Sequence, residues 1–417
     1  MAAAGSRGES VRLSELLGAW SVAIDVALAM PLETGLRVCL RACRLARCLG
    51  LDVDGQRRVY YLALLRHIGC TADNAELAGL VGDEIAFRSG MGTRDVSSSR
   101  ALLPYLLQLT VGAHPAVERP AALMHLLTHA RVMQRAGVAV CEVAQMLTDR
   151  IGFDDSLRKR LREDLVMVYE RYDGHGFPHR LGAADISLPA QIVQLAEAVT
   201  LHVQLVGKEG ALAMLGERRG RAFRPDVVDC VLDDADALTD ELDDPWAEML
   251  AMEPGGAPVL DGERIDDVLV AMADFADLKS AYTAGHSRSV ASLAGEAAGA
   301  CGLPGADRAA LRRAGWIHDI GRISVSVAVW DKPGPLVRDE LEKVRLHPYV
   351  TERIFTRSPF LAPLAVLAGT HHERVDGSGY HRGQRGAGLS VPARILAAAD
   401  VYAALVASRS HRPLRTA

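Results

Sequence analysis

The chain has 417 residues, a formal charge of −5, 49% apolar residues and 24% charged ones. It can therefore form two or three domains with cores and does not have the composition of a disordered protein. This balance, with no concentrated basic tail, leaves no nucleic-acid-binding module in view but does not exclude a small anionic ligand.

No run of about 18 apolar residues suggests a membrane span. The N-terminus lacks a basic segment followed by an apolar core, so no signal peptide is expected. The seven cysteines contain no C-x-x-C pair. Cys39, Cys43 and Cys48 lie close together without zinc-knuckle spacing. The cysteines read as mostly reduced, buried residues of a cytoplasmic protein.

Apolar residues recur at three- and four-residue spacing in segments 36–49, 57–68, 121–133, 140–151, 155–169 and 192–206. This pattern predicts helices, with Gly50 and Gly69 as C-terminal stops. His125 and His129 have i,i+4 spacing, but with no complementary ligands nearby they read as an ordinary helix face. Continuous β patterning is largely absent, so the expected fold is all-α. Segment 233–266, with DDPWAEML and EPGGAPVLDGE, reads as a linker. It divides two helical domains, 1–232 and 267–417.

The two parts echo one another. Glu373, Arg374, Asp376, Gly377 and Gly379 match Glu170, Arg171, Asp173, Gly174 and Gly176 at one constant offset, and Pro392 and Ile395 match Pro189 and Ile192. At a second offset, Gly302-Leu303 and Ile320-Gly321 match Gly50-Leu51 and Ile68-Gly69. Ordered matches in glycine-containing loops point to a repeated fold.

The copies differ in chemistry. His286 aligns with Thr34, His318 and Asp319 with Arg66 and His67, His371 and His372 with Val168 and Tyr169, and Asp400 with Glu197. With a short gap, His347 aligns with Cys141. The second copy therefore holds seven candidate metal ligands that the first lacks: His286, His318, Asp319, His347, His371, His372 and Asp400. Imidazole and carboxylate donors suit iron, manganese, zinc or related divalent ions. Seven such groups are enough for two ions, with Asp319 as the natural bridge. One HD dipeptide alone would more often be a polar helix end; the ordered set carries the argument. Gly321, in WIHDIGRI, is expected to let the backbone pass close beside the site. No Walker A or dinucleotide fingerprint is present.

With AGHSRSV, IHDIGRI, the KPG turn at 332–334, the HP at His347, HHERVDGSGY and ILAAADVYAAL, the second part resembles the HD-GYP group of HD metal-dependent phosphohydrolases. The resemblance spans roughly 281–413. It implies two HD-like helical domains, the first degenerate, and a metal-dependent phosphodiesterase acting on a cyclic dinucleotide, with cyclic di-GMP leading. It assigns His286, His318, Asp319 and Asp400 to one divalent ion and His347, His371 and His372 to a second, with Asp319 between them. Iron or manganese is the expected metal.

Arg322 takes the place of a substrate-facing lysine, so Asp319 and Arg322 are the catalytic candidates. Arg322, Arg374, Tyr380 and Arg382 are the substrate-binding ones. Three positions depart from the pattern: His381 replaces the proline of GYP, Tyr282 a glutamate of a third metal site, and Ala403 an acidic residue. Proline fixes φ and histidine does not, so an altered loop is expected at His381. The first domain reads as a scaffold or nucleotide sensor, with a homodimer or signalling partner open. The alternative function is a nucleotide-sensing regulator of low activity. A C-terminal truncation is one explanation for the short segment after Asp400.

Overall fold

The computed structural model describes residues 10–95, 104–108, 130–240 and 242–407, with side chains from 137 onward in the helix Ala130–Thr148. His125 and His129 lie outside the described residues. The fold is almost entirely helical. Among the described residues the one sheet is a short antiparallel pair, β1 (Ser10–Arg12) with β2 (Val259–Asp261), which joins the first described residues to the segment before the second copy.

The repeat is visible in the helix ends. Helices Thr34–Cys48 and Val53–Leu65 in the first half correspond to His286–Ala300 and Gly305–Ile317 in the second, residue for residue at both ends. Leu188–Val206 corresponds in the same way to the start of Val391–Val406. Both of these late helices begin on a serine, Ser187 or Ser390, whose hydroxyl accepts the N–H of Ala190 or Ala393, and both place proline in the first turn. That is a favourable helix start, because it satisfies one backbone donor and presets φ. Predicted segments 121–133 and 140–151 meet in one helix, Ala130–Thr148, over the described residues.

Buried apolar side chains of both halves form one continuous core. At its centre Trp20, on Leu13–Ala27, meets Phe275, on Gly262–Asp277, edge to face with centroids 5.9 Å apart. Residues 233–266, expected as a linker, are folded. They contain helices Ala235–Thr239 and Pro245–Met252 as well as β2, and Trp246 and Met249 are buried. Five cysteines are free, as expected of a mostly reduced set, but Cys48 and Cys230 are bonded across 182 residues. The expectation for Cys48 is corrected accordingly. No described helix is long and apolar enough to cross a membrane.

Candidate metal centre

Four glycines show why the two halves share a backbone. A Cβ on Gly321 would collide with the carbonyl oxygen of His347 and stand 2.7 Å from Thr351 N; one on Gly69 would collide with Val140 O and stand 3.0 Å from Ala144 N. Gly321 is thus a close-approach position, as the sequence suggested; so is Gly69, expected as a helix stop although its helix ends at Leu65. The comparison also corrects the alignment by one residue: His347 corresponds to Val140, not Cys141. In the later loop, a Cβ on Gly379 would stand 2.5 Å from Arg374 N, and one on Gly176 the same 2.5 Å from Arg171 N.

Glu373 organises that loop by accepting the N–H groups of Arg382 (2.7 Å), Gly383 (3.2 Å) and Gln384 (2.8 Å). Glu170 does the same for His179 (2.7 Å) and Leu181 (3.0 Å). The expected change of loop shape at His381 is therefore absent: the Glu373 bonds after it, and Tyr380 N to His372 O (3.1 Å) before it, repeat the first half's pattern, where Phe177 N meets Tyr169 O at 3.2 Å. His381 is half-buried, with Nε2 3.9 Å from Glu352 Oε1, outside the metal-compatible groups.

The helices bring all seven candidate ligands together. His286 opens its helix, held there by Asp277, which accepts both Ser287 N and Ser287 Oγ at 2.8 Å. His318 and Asp319 follow Gly305–Ile317, His347 opens His347–Phe355, His371 and His372 follow Leu361–Ala368, and Asp400 lies within Val391–Val406. Three overlapping groups could hold an ion: His286, His318 and Asp400; His318, Asp319 and His371; and His347, His371 and His372. All but His372 are buried.

Asp319 faces both sides of the cluster. Its Oδ1 is 3.3 Å from His347 Nε2 and 3.5 Å from His371 Nε2. Its Oδ2 is 3.5 Å from His318 Nε2 and 3.6 Å from His286 Nε2. Asp400 repeats the division, with Oδ1 3.1 Å from His286 Nε2 and Oδ2 3.9 Å from His372 Nδ1.

The imidazole protons show that this arrangement suits cations. His318, His347 and His371 each direct Nδ1 at the carbonyl oxygen three residues earlier, Gly315, Val344 and Ala368, at 2.7, 2.6 and 2.7 Å. A carbonyl only accepts, so Nδ1 carries a proton, and each ring in its neutral form turns an Nε2 lone pair inward. His347 Nε2 and His371 Nε2 then face each other at 3.0 Å. His318 Nε2 is buried with no hydrogen-bond partner. Converging lone pairs beside two buried carboxylates are costly without positive charge among them. The carbonyl contacts are also the kind of support that orients metal-binding histidines.

The titration directions show the same demand for positive charge, met at His318 by a second proton on the imidazole. Burial lowers the affinity of His318 for a proton, but Asp319 and Asp400 overcome it and push the imidazole up to about 9. Burial would raise Asp319, yet His318 and Arg322 hold it well below the usual carboxylate range. His372 is lowered to about 2 by burial and by His371 and His347.

The proposed substrate residues occupy different surroundings. Arg322 donates to Asp319 Oδ2 at 3.1 Å, and its guanidinium lies 3.8 Å from the centre of the Trp330 ring. Tyr380 lines the cluster, its ring 4.8 Å from that of His372. Arg374 is exposed, and Arg382 pairs with Glu352. Sequence reasoning missed Trp330, whose ring meets His347 edge-on at 5.6 Å, and Arg345, whose guanidinium lies 5.2 Å from Tyr380. It also missed Thr351, which accepts Gly321 N and donates to His318 O. Position in KVRLHPYVTE was the available signal: Arg345 lies two residues before His347, and Thr351 one helical turn after it.

In the first half the equivalent side chains line a small cavity and are tied to one another. Arg66 pairs with Glu197, His67 Nε2 lies 2.6 Å from Glu197 Oε1, and His67 Nδ1 lies 2.9 Å from the Tyr169 hydroxyl. Arg66 supplies fixed positive charge opposite Glu197. Among the described residues, the metal-compatible groups all belong to the second half.

Comparisons with known proteins agree with this division. Residues 271–417 match the HD domain family. A 3′3′-cGAMP-specific phosphodiesterase of Vibrio cholerae, number 3, is 30% identical over 411 residues, covering 96% of this chain and 87% of that protein. The cyclic di-GMP phosphodiesterase response regulator RpfG of Xanthomonas campestris pv. campestris is 32% identical over 152 residues, 36% of this chain and 40% of that protein. A crystal structure of a cyclic GMP-AMP-specific phosphodiesterase of V. cholerae superposes with a TM-score of 0.65 at 25% identity, covering 95% of this chain and 89% of that one. Similarity along nearly the whole length, with the HD match falling on the half that gathers the histidines, means that the chain belongs to the HD-GYP group of HD metal-dependent phosphohydrolases.

Proposed function

We propose that the protein hydrolyses a phosphodiester bond of a cyclic dinucleotide at the centre built by residues 267–417, with residues 1–232 as scaffold. The observation that carries this reading is the two-sided environment of Asp319, one carboxylate oxygen toward His347 and His371 and the other toward His286 and His318. In this reading His286, His318, Asp319 and Asp400 hold one divalent ion, and Asp319, His347, His371 and His372 a second, of iron or manganese. When bound, such ions supply Lewis acidity at phosphorus and activation of the nucleophile. Arg322 directs fixed positive charge toward a phosphoryl oxygen, in a geometry set by Asp319 and Trp330. Tyr380 offers a ring against a base.

The relative that covers nearly the whole chain favours 3′3′-cGAMP as substrate, with cyclic di-GMP, suggested by a relative that matches 36% of the chain, as the comparison compound. The mainly free cysteines fit a reducing compartment, and we place the protein in the cytoplasm.

The test is chromatography of both nucleotides after incubation with iron- or manganese-loaded protein. Linear dinucleotide is expected from the wild type and none from His318→Ala/Asp319→Ala. Saturable binding without turnover would replace the hydrolase reading by a sensor; full turnover by the double variant would remove it.

A further inference from the structure

We propose that Glu84, from the first half, is a positioning residue for the reaction centre, holding the segment that carries Arg322 and backs His347. This rests on the hydrolase reading above and gives the first half a part in it. Glu84 begins the helix Glu84–Met91 and is fully buried. Its carboxylate faces the second half. Oε1 lies 2.9 Å from the buried ammonium of Lys279 and accepts Val327 N at 3.0 Å; Oε2 accepts the Ser326 hydroxyl at 2.6 Å. Lys279 also donates to Ile323 O at 3.1 Å. One ion pair across the two halves thus fixes Ile323, the last residue of IHDIGRI, and Ser326 and Val327 just beyond it.

The consequence reaches the site through a short helix. Val327–Trp330 starts on Ser326, whose hydroxyl also accepts Ala328 N. It packs against Asn74–Val81 of the first half. At its end, Trp330 Nε1 donates to Arg322 O at 3.1 Å, its ring lies under the Arg322 guanidinium, and its edge meets His347. Ser280, beside Lys279, donates to Asp331 Oδ1 at 2.6 Å and closes the far end of the helix.

A buried ion pair adds little net stability over well-packed apolar residues of the same volume, because desolvation offsets the attraction. Its use here is geometric: each charge is spent on backbone and hydroxyl groups of one segment. The offset that pairs the helix starts Thr34 and His286, and the carboxylates Asp25 and Asp277 that accept Gly35 N and Ser287 N, places Ala27 in the first half where Lys279 stands in the second. The device therefore belongs to the contact between the halves and not to the repeated fold.

The experiment compares wild-type protein with Glu84→Gln, Ser326→Ala and the charge-neutral Glu84→Gln/Lys279→Met in the full chain. It reads metal per chain, amide hydrogen exchange over 322–331, thermal midpoint, and kcat and KM on whichever cyclic dinucleotide the wild type hydrolyses. Glu84→Gln is expected to keep its metal, exchange faster over 322–331 and lose about tenfold or more in kcat, as misplaced groups do. Ser326→Ala is expected to show the same signs more weakly. The neutral double variant recovers the thermal midpoint but not kcat.

Unchanged exchange over 322–331 would overturn the proposal, as would kcat returning together with the midpoint, the mark of a merely structural pair. If Glu84→Gln does not fold, Ser326→Ala decides by the same readouts. Should the wild type hydrolyse no cyclic dinucleotide, the hydrolase reading fails by itself, and hydrogen exchange on the manganese-loaded protein still decides whether Glu84 holds the segment.

Discussion

Gly321→Ala should cost the protein both stability and metal, whereas Gly69→Ala should cost stability alone. At Gly321 the added methyl meets His347 O and Thr351 N, so the backbone must open by about 1 Å to restore van der Waals contact. The hydrogen bonds Gly321 N to Thr351 Oγ1 (3.0 Å) and Thr351 Oγ1 to His318 O (2.9 Å) span that contact. Overpacking of this kind costs about 1–3 kcal/mol, and two weakened hydrogen bonds about 1 kcal/mol each, together about 3–5 kcal/mol. The same opening moves His347 away from His371, from which its Nε2 stands at 3.0 Å.

In the first half the methyl on Gly69 meets Val140 O and Ala144 N, a similar penalty with no candidate ligand attached. Urea unfolding and metal analysis of both variants separate the effects. Both midpoints should fall; only Gly321→Ala should bind less metal and turn over more slowly. Equal metal loss in both variants, or none in either, would refute the link drawn here between close packing and ligand placement.

Glu373→Gln should destabilise the protein by about 2 kcal/mol, since a carboxylate accepting three backbone N–H groups becomes a neutral amide with one acceptor oxygen; equilibrium unfolding measures it, and an unchanged midpoint would contradict the anchoring role. Burial opposes charge on Glu197, but Arg66 and His67 hold it down to about 2 from an ordinary 4.5. A depressed carboxylate contributes stability that is complete above pH 4.5 and lost as pH falls toward about 2. Unfolding midpoints of Glu197→Gln should therefore be lower near neutrality and lose less on acidification through that window. Removing metal with a chelator should lower the thermal midpoint of the wild type and leave that of His318→Ala/Asp319→Ala unmoved, because a ligand of the native state stabilises it in proportion to its occupancy.

Most of the candidate metal centre was legible in the sequence because its constraints are local. A histidine at a helix end, a glycine at a close approach and a glutamate three residues before a glycine loop each leave a mark at fixed spacing, and the same marks recur in the first half. Repetition exposed the fold, and the replacement of histidines by Thr34, Arg66, Val168 and Tyr169 exposed the division of chemistry.

What escaped was long-range. Glu84 and Lys279 meet across 195 residues, and Cys48 and Cys230 across 182, with no local pattern to announce either. The pairing of β1 with β2 rests on two three-residue strands, too short for alternation to register. His347 was aligned one residue away from its counterpart because the segments before it differ between the halves, and only the contact with Gly321 fixes the register. At His381 a rule about proline gave the wrong expectation, because Glu373 holds the loop from outside the substituted position.

Anomalous X-ray scattering at the iron and manganese edges, on crystals of metal-loaded protein, tests the central claim most directly. Two peaks are expected on either side of Asp319, one among His286, His318 and Asp400 and the other among His347, His371 and His372, with none beside Arg66 and Glu197. A peak in the first half, or a metal-saturated crystal without a pair flanking Asp319, would contradict the account.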